Sequence, residues 1–382
     1  MRILSYIKIY FLLWVLLTSC DRKNTVKKTY ETSQEKELVK YAKGFDIRYY
    51  ENYKELIVNT PFLNSSDTIV YRIYTKLKGA VLYDRMPNEI HVPVNRIVLT
   101  STTHIPMVEL LENENSIVGF PNTRYVSSDK TRALIDSGKI TELGKEAELN
   151  TEILIDIHPE IVVGFSVYGN DTSYDIIKKA DIPVILNGDW LEDTPLGRAE
   201  WIKFFGVLFD KTREADSIFR KIEQDYIAAK AIANNATKQP TVLSGSVMNK
   251  DIWNLPAGDS FVARYLADAN LSYLWKNTKG KGSLSLSFES VFDKGQTAEY
   301  WIAPGYFSTK KQLLDSNPLY GSFAAFKNDH IYTPTTKKGK TGGVIYYELA
   351  PTRPDLVLKD IIKITKPDLL PNYRLTFFEK MK

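Results

Sequence analysis

Cysteine is almost absent from this sequence, in which Cys20 is the only one among 382 residues. A single thiol excludes an internal disulfide, a Cys-x-x-Cys redox pair and a zinc site built from several cysteines. Histidine is also scarce, with four residues, so a divalent-metal site made of several imidazoles is disfavoured. The formal net charge is only +4, and no basic stripe indicates a nucleic-acid partner.

Signature motifs of several enzyme classes are missing as well. The stretch GFSVYG at 164–169 lacks the glycine spacing of the Gly-x-Ser-x-Gly nucleophile elbow, and no His-Glu-x-x-His sequence occurs. The Gly-Lys-Thr at 339–341 is similar to the end of a nucleotide-binding P-loop, but the first glycine of that motif is absent. We therefore predict that the chain is not an enzyme.

A run of apolar residues lies close to the N-terminus, over residues 9–17. It has about half the length that a helix needs to cross a bilayer, so a permanent transmembrane segment is disfavoured. Arg2 and Lys8 precede the run. A charged start, a short apolar middle and a small-residue finish are typical of a secretion signal, which we predict over residues 1–19.

The lone cysteine follows this signal directly, in the sequence Leu17-Thr18-Ser19-Cys20. This tetrapeptide resembles the bacterial lipobox, in which the cysteine becomes the first residue after cleavage and carries lipid. The resemblance implies cleavage between Ser19 and Cys20 and a lipid anchor that holds the protein to a membrane on the periplasmic side of the cell envelope. The next residues are polar and charged, which predicts a flexible stalk over 20–40.

A β-rich segment follows the predicted stalk. Its two runs, FDIRYYENYKELIVNT and DTIVYRIYTK, are separated by the turn-forming residues PFLNSS. Alternation of apolar and polar residues over 68–75 is typical of half-buried strands. We therefore predict a β-rich extension at 45–90, to which the sequence assigns no function.

From Asn95 onward, short apolar runs alternate with segments whose apolar residues recur at helical spacing. Strands that alternate with helices indicate βαβ units and mostly parallel sheets. The runs are RIVLTSTT (96–103), SIVGFPN (116–122), EIVVGFS (160–166) and PVILNGD (183–189), then TVLSGSV (241–247), EYWIAPG (299–305) and HIYTPT (330–335). We predict an α/β fold of two three-layer lobes, the first over 41–207 and the second over 237–382.

Between the two sets of runs, residues 208–236 contain neither glycine nor proline. Apolar residues recur there at steps of three and four, which places them on one helical face. These residues are Ala215, Ile218, Phe219, Ile222, Tyr226 and Ala229. A helix of about 25 residues is ~38 Å long, and we predict that it joins the two lobes as a stiff connection.

In this arrangement the chain resembles the helical-backbone substrate-binding proteins of ABC importers, in the branch that handles ferric siderophores, vitamin B12 and haem. The resemblance covers about residues 95–367 and is carried by RIVLTSTTHIPMVELLENENSIVGFPN, NTEILIDIHPEIVVGF, AEWIKFFGVLFDKTREADSIF and APTRPDLVLKDIIKI. It implies a monomeric binding protein, without a cofactor of its own, that captures a metal chelate between the lobes. It also implies an ABC permease and its ATPase as partners.

The identity of the ligand is left open by these stretches. A ferric siderophore is the first choice and cobalamin the second. The alternatives are a haem-binding protein of the same fold, a secreted α/β lipoprotein with hydrolase or chelatase activity, and a purely structural lipoprotein of the cell envelope.

Two glutamates occupy matching positions in the two sets of runs. Glu152 lies in NTEIL and Glu289 in SFESV, each in the predicted first turn of a helix that precedes a strand. Stabilisation by the helix dipole, roughly 0.3–1 kcal/mol, is the simplest explanation of such a carboxylate. The resemblance implies a further role, because the vitamin B12-binding protein carries its docking glutamates in matching motifs. Both side chains would then meet basic residues of the permease.

The ligand site is expected outside the carboxyl ends of the parallel strands, where α/β folds bind ligands. The loops after these strands carry Thr103, His104, Asn122, Arg124, Tyr125, Tyr168 and Trp190 in the first lobe, and Trp253, Phe261, Tyr306 and Tyr346 in the second. Aromatic faces suit catecholate, corrin or porphyrin ligands, and Arg124 could hold a carboxylate or phosphate in bidentate fashion. Burial within its own lobe is the alternative for any single aromatic residue.

His104 also raises the question of a metal ligand. A dedicated divalent site needs several converging ligands, and the sequence offers one at this place, so no metal site is predicted. An axial role for His104 on haem remains a minor alternative, because one histidine suffices there.

Overall fold

The computed structural model describes residues 39–76, 88–145, 148–249 and 251–382, so the predicted signal peptide, Cys20 and nearly all of the predicted stalk lie outside the described residues. The strands are β1 (Phe45–Tyr49), β2 (Lys54–Asn59), β3 (Thr68–Thr75), β4 (Glu89–Val92), β5 (Ile97–Leu99), β6 (Ile117–Phe120), β7 (Thr141–Glu142), β8 (Gly144–Lys145), β9 (Glu148–Leu149), β10 (Ile161–Gly164), β11 (Val184–Leu186), β12 (Thr241–Ser244), β13 (Ser246–Asn249), β14 (Ile252–Pro256), β15 (Ser272–Tyr273), β16 (Ser283–Ser287), β17 (Tyr300–Ile302), β18 (Ile331–Thr333) and β19 (Glu379–Lys380). The α-helices are α1 (His104–Leu110), α2 (Asp129–Asp136), α3 (Thr151–Asp156), α4 (Thr172–Lys179), α5 (Pro195–Glu200), α6 (Ile202–Leu208), α7 (Thr212–Asn234), α8 (Phe261–Asp268), α9 (Phe288–Gly295), α10 (Lys310–Ser316), α11 (Ala324–Lys327), α12 (Ile345–Leu349) and α13 (Pro354–Thr365).

The first lobe is built on a parallel sheet in the order β11-β10-β5-β6-β7. Its strands are short and apolar on both faces, as expected when helices cover both sides of a parallel sheet. Ile97, Val98 and Leu99 of β5 are all fully buried. In the register, Val98 pairs with Val162 of β10 and with Gly119 of β6. The carboxyl ends of these strands therefore lie together at one edge of the sheet.

The second lobe repeats this plan in the order β15-β12-β17-β18-β19. Neighbouring strands are parallel except for β18 and β19, which pair antiparallel. A further antiparallel sheet, β13-β14-β16, follows β12. It joins the same core through Trp253 of β14, whose ring centroid lies 5.3 Å from that of Trp301 in β17. The apolar runs predicted β12, β17 and β18, whereas β14 and β16 were not predicted.

The β-rich extension forms a sheet in the order β1-β2-β3-β4. The pairs β1–β2 and β2–β3 are antiparallel, and β3–β4 is parallel. Alternate residues of this sheet, including Phe45, Ile47, Leu56 and Val58, are buried in the same core as β5 and β10. The extension therefore packs onto the first lobe and shares its core.

One long helix, α7, connects the two lobes. Its first half buries Ala215, Phe219 and Ile222 in the core of the first lobe. Its second half buries Tyr226, Ala229 and Ala233 in the core of the second lobe, so a single helical face serves both. The helix begins at Thr212 rather than at Leu208, because Asp210 adopts a left-handed conformation with φ of 55° and separates α7 from α6. The predicted α/β fold class is confirmed.

Residues 40–44, which we call the strap, lie at the junction of the two lobes. Buried Glu200 accepts hydrogen bonds from the backbone N–H groups of Lys40, Tyr41 and Ala42 at 2.9, 2.6 and 2.9 Å. Glu192 accepts from the next two backbone amides of the strap, at 2.9 and 2.8 Å. The ring of Tyr41 packs against the cores of both lobes. Lys40, the last residue of the predicted stalk, is therefore fixed to the folded protein through its backbone N–H.

A second contact between the lobes is made by residues 339–348, which we call the clasp. Glu348 accepts hydrogen bonds from the backbone N–H groups of Ser127 at 2.7 Å and Ser128 at 2.9 Å. Gly343 packs so closely on the first lobe that a methyl group there would overlap the carbonyl of Tyr125. The lobes are thus joined at α7, at the strap and at the clasp.

The clasp is expected to make the stability of the protein depend on pH. Burial raises the pKa of the Glu348 carboxyl from 4.5 to about 7, and repulsion from nearby Glu109 acts in the same direction. A carboxyl whose pKa is higher in the folded protein binds its proton more tightly when folded, so its stabilising effect is complete below the unfolded value and is lost as pH rises through the folded value. We expect the free energy of unfolding to fall by about 2–3 kcal/mol between pH 5 and pH 8 because of this group.

Urea unfolding of the wild type and of Glu348→Gln across this pH range measures the effect. The glutamine variant should lack this part of the pH dependence, since its side chain does not titrate. Equal slopes of stability against pH in the two proteins would contradict the assignment.

Candidate functional site

Two adjoining cavities open at the carboxyl ends of the strands. The main cavity has a volume of about 580 Å³ and is lined largely by the second lobe, by loops that follow β12, β17 and β18 and by helices α8 and α12. The minor cavity has a volume of about 440 Å³ and lies between loops of both lobes. Tyr306 and Tyr347 line both cavities. This is the edge of the sheets where α/β folds bind ligands.

Aromatic side chains form much of the wall of the main cavity. They are Phe261, Tyr265, Tyr306, Tyr346 and Tyr347. Burial raises the pKa of the Tyr346 and Tyr347 hydroxyls to about 12, so both remain neutral hydrogen-bond donors at physiological pH. Tyr306 is 68% exposed although its ring is large, so the cavity offers apolar surface that the fold itself does not cover.

Both charged side chains that line the main cavity among the described residues are cations. They are Arg198 and Lys281, and no aspartate or glutamate of the part of the chain that the structure describes lines this cavity. Lys281 forms an ion pair of 2.6 Å with Asp193, whereas the guanidinium of Arg198 makes no hydrogen bond or ion pair with any described residue. The guanidinium of Arg198 lies 4.5 Å from the ring centroid of Phe261, and its Nε is buried without a partner. An unpaired, partly buried guanidinium is well suited to bind an anionic group.

Helix α5 positions Arg198 between the two lobes. The Thr194 hydroxyl caps this helix by accepting a hydrogen bond of 3.0 Å from the N–H of Gly197. Leu196 packs into the core of the second lobe and Ala199 into that of the first. The helix is therefore fixed from both sides, and Arg198 reaches the main cavity.

The structure brings part of the predicted lining together. The predicted residues that line a cavity are Asn122, Tyr125, Phe261, Tyr306 and Tyr346. Those that line neither cavity are Thr103, His104, Arg124, Tyr168, Trp190 and Trp253.

Two of the remaining residues are buried in the lobes. Trp253 is 0% exposed and stacks within the second core. His104 is also 0% exposed, lies 5.5 Å from the ring centroid of Phe205, and has a pKa lowered to about 4 by burial. The expectation that they line the cleft is therefore corrected, and the axial role of His104 on haem is not supported, because neither side chain reaches the cavities.

The others are exposed or partly buried and line neither cavity. Arg124 is exposed and holds its guanidinium 4.6 Å from the ring centroid of Tyr125, which lines the minor cavity. Thr103 bonds its hydroxyl to that of Ser101 at 2.9 Å. Trp190 is partly buried in the short turn after β11. Tyr168 is 70% exposed, in the loop that follows β10.

Sequence reasoning missed Arg198, Lys281, Tyr265, Tyr347 and Met248, which line the main cavity. Arg198 belongs to a helix after the last strand of the first lobe, yet it faces the second lobe. Loop position alone gives no sign of this placement. Tyr347 follows the predicted Tyr346 directly and could have been found from the same aromatic signal.

Glu152 and Glu289 occupy equivalent positions, as predicted. Asn150 caps α3 by accepting from Ile153 N at 3.1 Å, and Glu152 stands two residues after this cap. Ser287 caps α9 in the same way, and Glu289 stands two residues after it. Both glutamates are exposed, and α3 and α9 directly precede β10 and β17. Each of these strands pairs on one side with the first strand of its sheet, β5 or β12, and on the other with the next parallel strand, β11 or β18.

Metal clusters and membrane-spanning helices were sought among the described residues. These residues contain no cluster of three or more His, Cys, Asp or Glu side chains placed to hold a metal ion. Across the same part of the chain, every helix is too short or too polar to span a bilayer.

Known proteins resemble this chain in sequence or in fold. An uncharacterized lipoprotein of Methanocaldococcus jannaschii is 24% identical over 369 residues, which cover 90% of this chain and 85% of that protein. The triscatecholate siderophore binding protein FeuA from Bacillus subtilis, solved with ferri-bacillibactin, matches with a TM-score of 0.54 and 18% identity over 73% of this chain and 95% of its own. The periplasmic heme binding protein HutB of Vibrio cholerae matches with a TM-score of 0.54 and 15% identity over 69% and 99%. The family model described as periplasmic binding protein matches residues 97–337, and the chain therefore belongs to the periplasmic binding protein family.

Proposed function

We propose that this protein is the substrate-binding lipoprotein of an ABC import system and that it captures an anionic metal chelate, with a ferric siderophore as first choice. The observation that carries the proposal is the wall of the main cavity, which combines aromatic rings with Arg198 and Lys281 and to which no described carboxylate side chain contributes. A negatively charged chelate with flat rings would gain charge-assisted hydrogen bonds from Arg198 and ring contacts from the tyrosines. Both cavity volumes lie in the range typical of small-molecule sites.

Cobalamin and haem are the alternatives. Haem carries two carboxylates, which would also suit Arg198, and one structural neighbour is a heme binding protein. Cobalamin has neutral amide groups at its rim, so it would form weaker interactions with Arg198 and Lys281 than an anionic chelate. The siderophore is favoured because the cavity joins positive charge to several phenol rings, and because a triscatecholate binder shares the fold.

Titration with three ligands distinguishes the siderophore, haem and cobalamin hypotheses. The purified protein is titrated with ferric tris-catecholate, haemin and cyanocobalamin, and binding is followed by quenching of tryptophan fluorescence. Tight binding of the ferric chelate alone supports the first choice, and preference for haemin or cyanocobalamin selects an alternative. The absence of quenching by all three, together with an unchanged melting temperature, would overturn the proposed function.

A charge substitution tests the role of Arg198. We expect Arg198→Gln to weaken binding of ferric tris-catecholate about 10- to 100-fold, because a hydrogen bond to a charged group contributes roughly 1.5–3 kcal/mol. Arg124→Gln is the matched control, since that guanidinium is exposed and lines neither cavity. Equal affinity of the two variants would show that Arg198 does not hold the ligand.

The same proposal places the protein in the cell envelope, anchored by lipid on Cys20 after cleavage of the signal peptide. The proposed lipid anchor is supported by the resemblance of residues 17–20 to a lipobox and by the M. jannaschii relative, which is named a lipoprotein. The ligand would be delivered to an ABC permease with its ATPase. Glu152 and Glu289 would meet basic residues of that permease, one from each lobe, and such paired charges set the register of an encounter.

A further inference from the structure

The β-rich extension contacts a loop at the rim of the candidate site. Residues 60–67 connect β2 to β3 of the extension and lie against residues 166–170, which follow β10 of the first lobe. The extension precedes the segment that matches the family model, residues 97–337. The contact is therefore made by a part of the chain outside the matched region.

Two kinds of contact hold the loops together. The backbone N–H of Leu63 donates a hydrogen bond of 3.1 Å to the carbonyl of Val167. The ring of Phe62 covers Gly169, where a Cβ atom would lie 2.6 Å from two ring carbons. Gly169 also has a φ of 76°, which favours glycine. A side chain at this position would thus force the two loops apart.

The rim loop is also fixed from inside. Ser166 is buried, donates its hydroxyl proton to Asp171 and accepts a hydrogen bond of 2.7 Å from the N–H of Gly169. Phe165, directly before it, lines the minor cavity. With its base held on both sides, the loop leaves Tyr168 projecting and 70% exposed.

A tyrosine this exposed has no packing role in the fold. Its exposed fraction exceeds that of Tyr306, which lines both cavities. The loop that carries Tyr168 is fixed from two sides and holds the ring away from the core. Such a loop loses few conformations when the ring contacts a ligand, so binding costs less entropy.

We propose that Phe62 and Leu63 are positioning residues that hold Tyr168 at the rim of the minor cavity, where its ring stacks on an aromatic ring of the bound chelate. The extension then contributes to the choice of ligand, favouring chelates with aromatic rings over aliphatic ones. This inference rests on the proposed function, since it concerns the same site.

The experiment compares the wild type with Phe62→Ala, Gly169→Ala and Tyr168→Ala. Tyr50→Ala serves as control, because this exposed aromatic lies on the β1–β2 turn of the same extension and contacts Tyr53 and Glu55. Hydrogen–deuterium exchange of residues 165–171 reports the position of the loop without any ligand. Affinities for ferric tris-catecholate and ferric citrate report selectivity, because only the first chelate carries aromatic rings.

We expect Phe62→Ala and Gly169→Ala to speed exchange in residues 165–171 at least tenfold. These two variants and Tyr168→Ala should weaken binding of ferric tris-catecholate about fivefold and leave the affinity for ferric citrate unchanged. The control should match the wild type in every measurement.

The outcomes separate the two proposals. Unchanged exchange in Phe62→Ala and Gly169→Ala would overturn the positioning role, whatever the protein binds. Equal losses for both chelates in Tyr168→Ala would overturn the stacking role. A wild type that binds none of these chelates, haemin or cyanocobalamin would overturn the proposed function and the ligand role of Tyr168 with it. The exchange data would still decide whether the extension holds the loop.

Discussion

Replacing Glu200 with alanine is expected to lower the free energy of unfolding by about 3–5 kcal/mol. Glu200 is 0% exposed and accepts three successive backbone N–H groups of the strap. It also forms an ion pair of 2.9 Å with Lys203, whose side chain is 9% exposed. Removal of the carboxylate leaves three backbone amides of the strap without acceptors. It also takes the nearest partner from the Lys203 ammonium, which keeps Asp216 at 3.5 Å, and each such loss is costly.

Equilibrium unfolding in urea measures this change. Glu200→Gln should be less destabilised than Glu200→Ala, because the amide oxygen can still accept from the strap. Glu223→Ala is the matched control, since Glu223 binds the same segment only through the side chains of Lys40 and Tyr41, and it should cost less than half as much. A loss below about 1 kcal/mol in Glu200→Ala would show that the strap contributes little to stability.

Joint substitution of Glu152 and Glu289 by alanine is expected to abolish uptake of the ligand by cells while leaving its affinity for the purified protein unchanged. The two carboxylates are exposed and belong to different lobes. Neither lines a cavity, so the ligand would not sense their loss. Their removal would deprive the permease of one charged contact on each lobe, which mainly sets the orientation and rate of docking.

The matched control removes two other exposed acids from first helical turns, Asp175 in α4 and Glu214 in α7. This double variant loses the same charge and the same kind of helix stabilisation, so it should transport normally. Uptake that survives in the Glu152/Glu289 variant, or is lost equally in both, would contradict docking through these two residues.

Much of the fold could be predicted from local patterns. The runs around Ile97, Ile117, Ile161 and Val184 are apolar on both faces, and each forms a strand of the first sheet. Such continuous runs have few alternatives in a chain of alternating strands and helices. By contrast, β16 alternates serine with leucine and is mostly exposed, so its pairing with β14 depends on a tertiary neighbour that no local pattern reveals.

The candidate site was predicted less completely, and the reason is geometric. His104 and Asn122 both follow strands of the first sheet, yet His104 turns into the core at the start of α1 whereas Asn122 lines the minor cavity. Loop position predicts which edge of the sheet a residue occupies but leaves the direction of its side chain open. Arg198 shows the converse case, because its direction depends on how α5 packs against the second lobe.

The role of Glu200 had a visible sign in the sequence. Glu200 and Lys203 stand among the apolar residues of AEWIKFFGV, where charged side chains are rarely buried unless they are paired. That pattern indicates a buried ion pair. The sequence does not show that Glu200 also accepts hydrogen bonds from the backbone of residues 40–42, about 160 positions earlier in the chain.

The strap also determines where mechanical tension enters the folded protein. A pull on the chain upstream of Val39 would reach Val39, which packs against the core of the first lobe, and then Lys40, which is bonded to Glu200 and to Glu223 of α7. Because Tyr41 contacts both cores there, the force would enter where the two lobes meet rather than at the outer end of either lobe. If the proposed lipid anchor pulls on this end, we expect little rotation of one lobe against the other, and the same opening between them whether the tether is slack or taut.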